Sequence, residues 1–343
     1  MRANKFILMA STAFATSISV AQADISVVAS IKPVHSLVAG VMEGIGTPNI
    51  IVDGAGSPHS YSLKPSQARE LQDADAVFWF GHGLETFLEK PLEAISTNAK
   101  VVELIDTDGL LKLKFREGGP FSEHDHDDDH KDHDDDHKDH DDDHKDHDDD
   151  HEDHDDDHED HDDDHEDHAH GEYDPHIWLD PKNASILVQK ISDELSVIDP
   201  SNADAYVNNA KKMEEKLNLL VNELKTTLEP FSDEGYIVFH DAYQYFEKRF
   251  GVSAIGSVTV SPEILPGAER TIELREKIVS LEASCVFSEP QFEPKIISTL
   301  VEGTQVGTGV LDPLGASIEN GPDLYFKLIR NMASSLKNCL TKS

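Results

Sequence analysis

The sequence predicts an α/β protein with two lobes, each built on a parallel sheet, and one long helix that joins them. Short apolar runs alternate with helical segments on both sides of the chain's centre, which is typical of parallel βα units. Between them, residues 200–230 carry an apolar side chain at every third or fourth position. A helix of this length is about 40 Å long, so it indicates a spine across two lobes. With 343 residues, the chain is long enough for two modest domains.

The first 23 residues have the pattern of a cleaved signal peptide. Arg2 and Lys5 supply a positive start, residues 6–20 are apolar and small, and residues 21–23 read A-x-A, so we expect cleavage after Ala23. No later run reaches about 18 apolar residues, and no cysteine follows the apolar run as a lipid-anchor signal. We therefore expect a soluble, exported protein, although charge and length alone do not separate the periplasm from the medium.

Residues 24–199 are predicted to form the first lobe. Its strands are expected at 25–31, 49–52, 76–80 and 100–104. Its helices are expected at 67–73, 84–95 and 181–195. Three histidines, His35, His59 and His82, come shortly after the first three strands. Because ligands bind at the carboxyl ends of strands in open α/β sheets, this placement makes them candidates for a site.

An insertion of very different composition, residues 117–172, interrupts the first lobe. From His126 to Asp167 the chain repeats HDDDHKD three times and then HDDDHED three times. The seven-residue period offers no apolar residue for a coiled-coil seam, and the tract cannot bury enough surface to offset its ordering entropy. We therefore expect a disordered loop. Because it holds 15 of the chain's 20 histidines, it can bind zinc or copper at many weak sites.

The net charge of −39 is concentrated in this insertion. Residues 123–172 contain 30 acidic residues and three lysines, a net of −27, which leaves about −12 for the rest of the chain. The folded part is therefore only mildly acidic. No basic patch is present to neutralise phosphates, so we expect no nucleic-acid partner.

Residues 231–343 are predicted to form the second lobe, after the linking helix at 200–230. Its strands are expected at 236–239, about 252–256, 283–287 and 305–310. Its helices are expected at 241–250, 268–281, 292–301 and 322–339. Pro262, Pro266 and Gly267 predict a tight loop after the second of these strands.

His240 lies where a buried strand is predicted to meet a helix. Residues 236–239 are an apolar, aromatic run, and Tyr243, Phe246 and Phe250 follow at helical spacing. A histidine at the carboxyl end of a strand can bind a metal. It can equally cap the helix or pack in the core, and this stretch alone leaves both interpretations open.

Four motifs together indicate a family. Residues 57–66, 174–181, 238–251 and 311–315 read SPHSYSLKPS, DPHIWLDP, VFHDAYQYFEKRFG and LDPLG. In this order they resemble the zinc-specific solute-binding proteins of bacterial ABC importers, in which a histidine-rich insertion is also typical. The resemblance extends from about Asp24 to the C-terminus. It implies two α/β lobes joined by one rigid helix, with the metal held in the cleft between the lobes.

The resemblance implies a zinc ligand set of His59, His176, His240 and Asp312. Zinc prefers four ligands in a tetrahedron, and imidazole favours zinc over the oxygen-only sites that suit manganese, magnesium or calcium. Each candidate lies in a predicted loop, two of them before the long helix and two after it. Some family members carry a glutamate before the first histidine, where this chain has Pro58. A bound water or a histidine of the insertion is the alternative to Asp312.

His35, His82 and Glu289 are candidates for supporting roles around the metal. His82 lies between glycines that equally suit a plain turn. Glu289 follows the strand predicted at 283–287, where it can orient a ligand or simply begin a helix. Manganese-binding relatives place a glutamate where this chain has His240, which favours zinc here.

The two cysteines, Cys285 and Cys339, fit an oxidising compartment. Cys285 lies in a predicted strand and Cys339 near the end of the last helix, and their spacing excludes a CxxC metal site. We expect a disulfide that ties the last helix to the sheet, which resembles the pairing in this family. Two separate buried thiols are the alternative.

The resemblance implies a non-enzymatic protein that captures periplasmic Zn²⁺ and delivers it to an inner-membrane permease with its ATPase. A periplasmic zinc chaperone is a further conceivable partner, and a monomer is the default state. Since the ligands must be deprotonated, affinity should fall as the pH drops through the histidine pKa of about 6.5.

Three functions other than zinc delivery to an importer are considered. A metal buffer that works through the histidine tract and a manganese-binding relative are the alternatives. A zinc hydrolase is not supported, because no HExxH motif is present. For the insertion we hypothesise that it captures or senses zinc and passes it to the cleft; the alternative is a solvated insertion that binds metal without consequence.

Overall fold

The computed structural model describes residues 25–116, 121, 173–259, 267–292 and 295–341. The predicted signal peptide at 1–23, the repeats of the insertion and the loop at Pro262 and Pro266 lie outside the described residues. Within the described ranges, none of the helices combines the length and the apolar character needed to cross a bilayer.

The first sheet is parallel throughout. Its strands are β1 (Val27–Ile31), β2 (Asn49–Val52), β3 (Ala76–Trp79) and β4 (Lys100–Glu103), in the order β2-β1-β3-β4. Helices α1 (Lys32–Val41), α2 (Pro65–Gln72) and α3 (Thr86–Ile95) connect them. The central strands β1 and β3 are buried on both faces and, apart from Ser30, consist of apolar residues, as expected for strands covered by helices.

Two helices follow the insertion. They are α4 (Pro181–Ile198) and α5 (Ala203–Leu228), and α5 packs against α4. The 26 residues of α5 make it roughly 40 Å long, and it contacts α1 on one side. At that crossing Gly40 allows close approach, because a Cβ there would lie 2.2 Å from the Met213 sulfur. The long helix predicted from the apolar spacing is therefore present, with short 3₁₀ turns at both ends.

The second sheet repeats the topology of the first. Its strands are β5 (Gly235–His240), β6 (Ser253–Thr259), β7 (Cys285–Ser288) and β8 (Gly307–Val310), in the order β6-β5-β7-β8. Its helices are α6 (Gln244–Phe250), α7 (Ala268–Ser280), α8 (Lys295–Val301) and α9 (Leu324–Leu340). The two-lobe α/β fold is confirmed. Helix α5 contacts α6 and α9, so one helix packs on both lobes.

Two helix starts differ from the sequence prediction for local reasons. The helix expected from residue 67 begins at Pro65, because proline suits a first helical turn and the Gln67 side chain accepts from the Lys64 backbone N–H. The helix expected from residue 241 begins at Gln244, because the backbone first turns at His240, whose carbonyl accepts from the N–H of Ala242.

A disulfide joins Cys285 of β7 to Cys339 of α9, with Cα atoms 6.2 Å apart. This confirms the expected pairing and fixes the last helix to the second sheet. The alternative of two separate thiols is wrong.

The lobes share one continuous apolar core, which contains side chains of both sheets and of α5. Direct hydrogen bonds add to it. Trp178 Nε1 donates to the Pro313 carbonyl (2.8 Å), and the Tyr325 hydroxyl donates to the Trp178 carbonyl (2.6 Å). The Arg249 guanidinium contacts both carboxylate oxygens of the fully buried Asp180 at 2.6 Å. This continuity disfavours a wide hinge motion between the lobes.

Candidate metal centre

His59 lies in the loop that follows β2. Ser57 supports this loop, because its Oγ accepts from the His59 backbone N–H at 3.3 Å. Among the described residues, no carboxylate makes a hydrogen bond with the His59 ring. Within the described part of the chain, the ring is positioned by its loop and by contact with the His176 and His240 rings.

His176 lies directly before a short 3₁₀ turn, Ile177–Leu179. Its Nδ1 is 2.6 Å from Oδ1 of Asp174, which also accepts the His176 backbone N–H at 3.0 Å. Gln244 Nε2 donates to the second oxygen of the same carboxylate at 3.0 Å. Burial raises the pKa of the Asp174 carboxyl to about 7. In its ionised form this carboxylate only accepts, so Nδ1 then carries the hydrogen and the Nε2 lone pair of His176 is available for a metal.

His240 ends β5 and is held in the same manner. Its Nδ1 is 2.7 Å from Oε1 of Glu289, which follows β7, the neighbour of β5 in the sheet. Glu289 is buried. The prediction that Glu289 orients a ligand therefore matches its position, and Nε2 of His240 points away from the carboxylate that holds the ring.

The three histidines form one cluster between the lobes. One ligand atom from each of His59, His176 and His240 lies within 4.8 Å of the others. The Nε2 atoms of His176 and His240 are 3.4 Å apart. Two zinc–nitrogen bonds of about 2.05 Å at a tetrahedral angle place their nitrogens about 3.3 Å apart. The spacing of these two rings thus already fits a tetrahedral metal.

The histidines differ in their affinity for protons. Burial, together with repulsion from the other two rings, lowers the pKa of His59 well below 6.5. Burial and the charge of His240 lower the pKa of His176 in the same way. Burial also acts to lower the pKa of His240, but the charge and hydrogen bond of Glu289 outweigh it and the net pKa is raised. Of the three rings, His240 therefore binds a proton most readily in the absence of metal.

Asp312, the expected fourth ligand, is not part of this cluster. Its carboxylate accepts three backbone N–H groups, those of Leu314 (3.1 Å), Gly315 (2.9 Å) and Ala316 (2.6 Å). It also accepts from Gln291 Nε2 at 3.0 Å. These bonds occupy the oxygens in shaping the loop after β8. The geometry therefore does not support Asp312 as a direct ligand.

A small cavity of about 10 Å³ adjoins the histidines, close to the volume of one water. Gln291 and Glu289 line it, and neither Oε1 of Gln291 nor Oε2 of Glu289 has a hydrogen-bond partner among the described residues. The Tyr243 hydroxyl donates to the Leu311 carbonyl at 3.3 Å and also lies near the Glu289 carboxylate. Gln291 was missed by the sequence reasoning, although it lies only two residues after Glu289.

Comparison with known proteins identifies the family. The model of the periplasmic zinc-uptake complex component A, ZnuA, matches residues 27–339. A Brucella suis protein named high-affinity zinc uptake system protein ZnuA is 58% identical over 316 residues, 92% of each chain. The chain belongs to the ZnuA family. Another ZnuA relative, from Paracoccus denitrificans, is 40% identical and matches 97% of each chain.

Solved structures share the fold of this ZnuA-family chain. One described as the crystal structure of ZnuA has a TM-score of 0.68 at 22% identity, over 92% of this chain and 99% of its own. A manganese complex of the solute-binding protein FpvC from Pseudomonas aeruginosa has a TM-score of 0.70 at 16% identity, over 93% and 99%. These likenesses establish the fold of the ZnuA-family chain and do not discriminate between metals.

The other two histidines of the folded part lie outside the cluster. The ring of His35 is buried, and its Nε2 lies 3.1 Å from the Pro48 carbonyl. His82 Nδ1 lies 3.0 Å from Glu89, and its ring contacts Trp79. Neither His35 nor His82 lines the cavity beside the cluster. Their positions therefore do not favour the predicted supporting role at the metal site.

Proposed function

We propose that this chain captures Zn²⁺ in the periplasm and delivers it to an ABC-type zinc importer, made of an inner-membrane permease and its ATPase. The observation that carries the proposal is the convergence of His59, His176 and His240. The names of its relatives, high-affinity zinc uptake system proteins at 58% and 40% identity, supply the transport role.

In this proposal the three imidazole rings bind zinc directly. Three neutral nitrogen ligands favour zinc over manganese, which prefers oxygen, so zinc is the better candidate than manganese. Asp174 and Glu289 orient His176 and His240 and increase the basicity of their metal-binding nitrogens. His59 completes the set from the loop after β2.

The fourth position suits a water molecule. A zinc-bound water has two hydrogens to donate, and the cavity presents two acceptors without a partner, Gln291 Oε1 and Glu289 Oε2. The Gln291 amide is oriented because its Nε2 donates to Asp312. Asp312 then acts on the metal through Gln291 and not as a ligand. A cavity of about 10 Å³ is about the size that one such water needs.

Export, lobe boundaries, oligomeric state and a further partner complete the proposed function of the whole chain. Export follows from a signal peptide cleaved after Ala23, and the mature protein then divides into lobes at 24–199 and 231–343 around the helix at 200–230. We infer that it acts as a monomer. A periplasmic zinc chaperone stays a candidate partner, and the histidine tract can act as a weak metal buffer beside the tight site.

Zinc uptake at scarce metal tests this function. Cells that lack the native copy would receive the wild-type gene, His240→Ala or the control His82→Ala, and uptake of radioactive zinc would be measured. We expect wild type and His82→Ala to restore uptake and His240→Ala to fail at equal protein level. Equal uptake with all three genes would contradict the proposal.

A further inference from the structure

The insertion meets the described fold in a short stem, which we define as residues 113–116 and 173–176. Lys114 and Tyr173 form an antiparallel bridge across it. The stem follows the first sheet in sequence, but it also contacts α6 of the second lobe. The Tyr245 hydroxyl accepts the Leu113 N–H at 3.0 Å and donates to the Asp174 carbonyl at 2.7 Å.

Arg116 connects the stem to two carboxylates of the second lobe. Its Nε lies 2.9 and 3.1 Å from the two carboxylate oxygens of Asp241, and Nη2 contacts the same carboxylate. Its Nη1 and Nη2 lie 2.7 and 3.2 Å from the oxygens of Glu247. The Phe121 ring covers the guanidinium at 4.1 Å. One cation thus holds two acids that are both buried.

The burial of this triad makes the arginine hard to replace. Asp241 and Glu247 would repel each other without a cation between them, and a buried charge that loses its partner is strongly destabilising. Arginine is suited to the task because its planar fork donates to two carboxylates at once, which lysine cannot do. We therefore expect loss of Arg116 to move the two acids apart.

Asp241 is the residue that directly follows His240. The backbone turns tightly at this point, with the Ala242 N–H donating to the His240 carbonyl at 2.9 Å. A displacement of Asp241 is therefore transmitted to the backbone that carries the His240 ring. Glu289 holds that ring from one side, and the Arg116 triad fixes the chain on the other.

We propose that Arg116 is a positioning residue for the metal centre: from the first-lobe stem it holds Asp241, and thereby keeps His240 in register with His176. The inference rests on the proposed zinc-binding function of the histidine cluster. It gives the stem a role in metal affinity in addition to joining the lobes.

The chain offers a matched control. Arg249 pairs with the buried Asp180 across the same lobe interface, through two contacts of 2.6 Å. Asp180 begins α4 and is not adjacent in sequence to any of the three histidines. Both arginines should support stability, but only Arg116 should support metal affinity.

The test compares Arg116→Gln, Arg116→Lys, Arg249→Gln and His240→Ala in the full mature chain. Zinc affinity would be measured by competition with a chelator, and thermal unfolding would be followed without metal. The visible absorption of the protein with one equivalent of Co²⁺ would report coordination geometry. Arg116→Lys keeps a charge without the fork, so it remains informative where the glutamine variant folds poorly.

We expect both Arg116 variants to weaken zinc binding by roughly 10–100-fold, as for other groups that orient metal ligands, and to shift the cobalt spectrum. Arg249→Gln should lower the unfolding temperature and leave affinity and spectrum unchanged. Arg116 variants that lose stability alone, with wild-type affinity and spectrum, would overturn the proposal. Undiminished zinc affinity in His240→Ala would instead overturn the assignment of the histidine cluster on which it rests.

Discussion

The proton balance of zinc binding follows from the unequal environments of the three histidines. His59 and His176 have pKa values well below 6.5, so both are neutral and ready to bind metal at pH 6. His240 has a raised pKa, so at pH 6 it carries a proton that lies between the two Nε2 atoms 3.4 Å apart. Zinc must displace that proton. The three rings should therefore release about one proton at pH 6, and the Asp174 carboxyl beside His176, whose pKa burial raises to about 7, is a second source of a proton. Affinity should fall at least about tenfold for each pH unit below the pKa of His240.

Three solvent-like histidines would behave differently. At pH 6 each would be about three-quarters protonated, and binding would release about two protons. Calorimetric titration at pH 6 in two buffers with different ionisation enthalpies measures the proton release, and at this pH a zinc-bound water, with a pKa of about 7, contributes little. Solvent-like histidines would release the same number of protons with and without the Glu289 charge. Glu289→Gln is the informative variant, because removal of the charge should lower the pKa of His240 and reduce proton release. Equal proton release by the wild type and by Glu289→Gln at pH 6 would refute this reasoning.

Three further predictions concern stability and the fourth ligand position. Replacement of Cys285 and Cys339 by alanine removes a crosslink across 54 residues and should lower the free energy of unfolding by about 4 kcal/mol, measured by urea denaturation. Glu85 is fully buried, and burial raises its pKa to about 7. Protonation of Glu85 therefore stabilises the folded state, and this contribution is complete below about pH 4.5 and is lost as the pH rises through 7. Glu85→Gln should accordingly raise the free energy of unfolding at pH 8.5, by on the order of 3 kcal/mol at most, and by much less at pH 5 in the same assay. Gln291→Leu should weaken zinc binding by about tenfold, the lower end of the effect of groups around a metal. Asp312→Asn should weaken zinc binding less than His240→Ala does, as measured by competition with a chelator. An Asp312→Asn variant that binds zinc as weakly as His240→Ala would show that Asp312 is a ligand.

Much of the fold could be predicted because the signals are local. Buried parallel strands consist of short apolar runs, and α5 repeats its apolar side chains at helical spacing over 26 residues. The two cysteines lie on elements that the same patterns identify. Strand and helix ends were less exact, as at Pro65 and Gln244, because individual side-chain and backbone hydrogen bonds decide them.

The site was predictable only where sequence position determines geometry. His176 lies before a short turn and His240 at the end of β5, both at positions that the motifs mark, and their rings meet as expected. Arg116 could not be assigned, because its partner Asp241 is 125 residues away in sequence and no pattern encodes that pairing. Asp312 had a local signal for its true contacts: an aspartate followed by proline and glycine favours side-chain bonds to the next backbone N–H groups.

We infer that the protein has one tight zinc site, which lies in the histidine cluster between the lobes. The most direct test is zinc titration of the mature protein without residues 123–172, in competition with a chelator of known affinity, with and without His240→Ala. We predict one tight site that survives the deletion and collapses in the His240→Ala variant. Zinc binding that disappears with the deletion alone would contradict the account, because the histidine tract would then be the binding element.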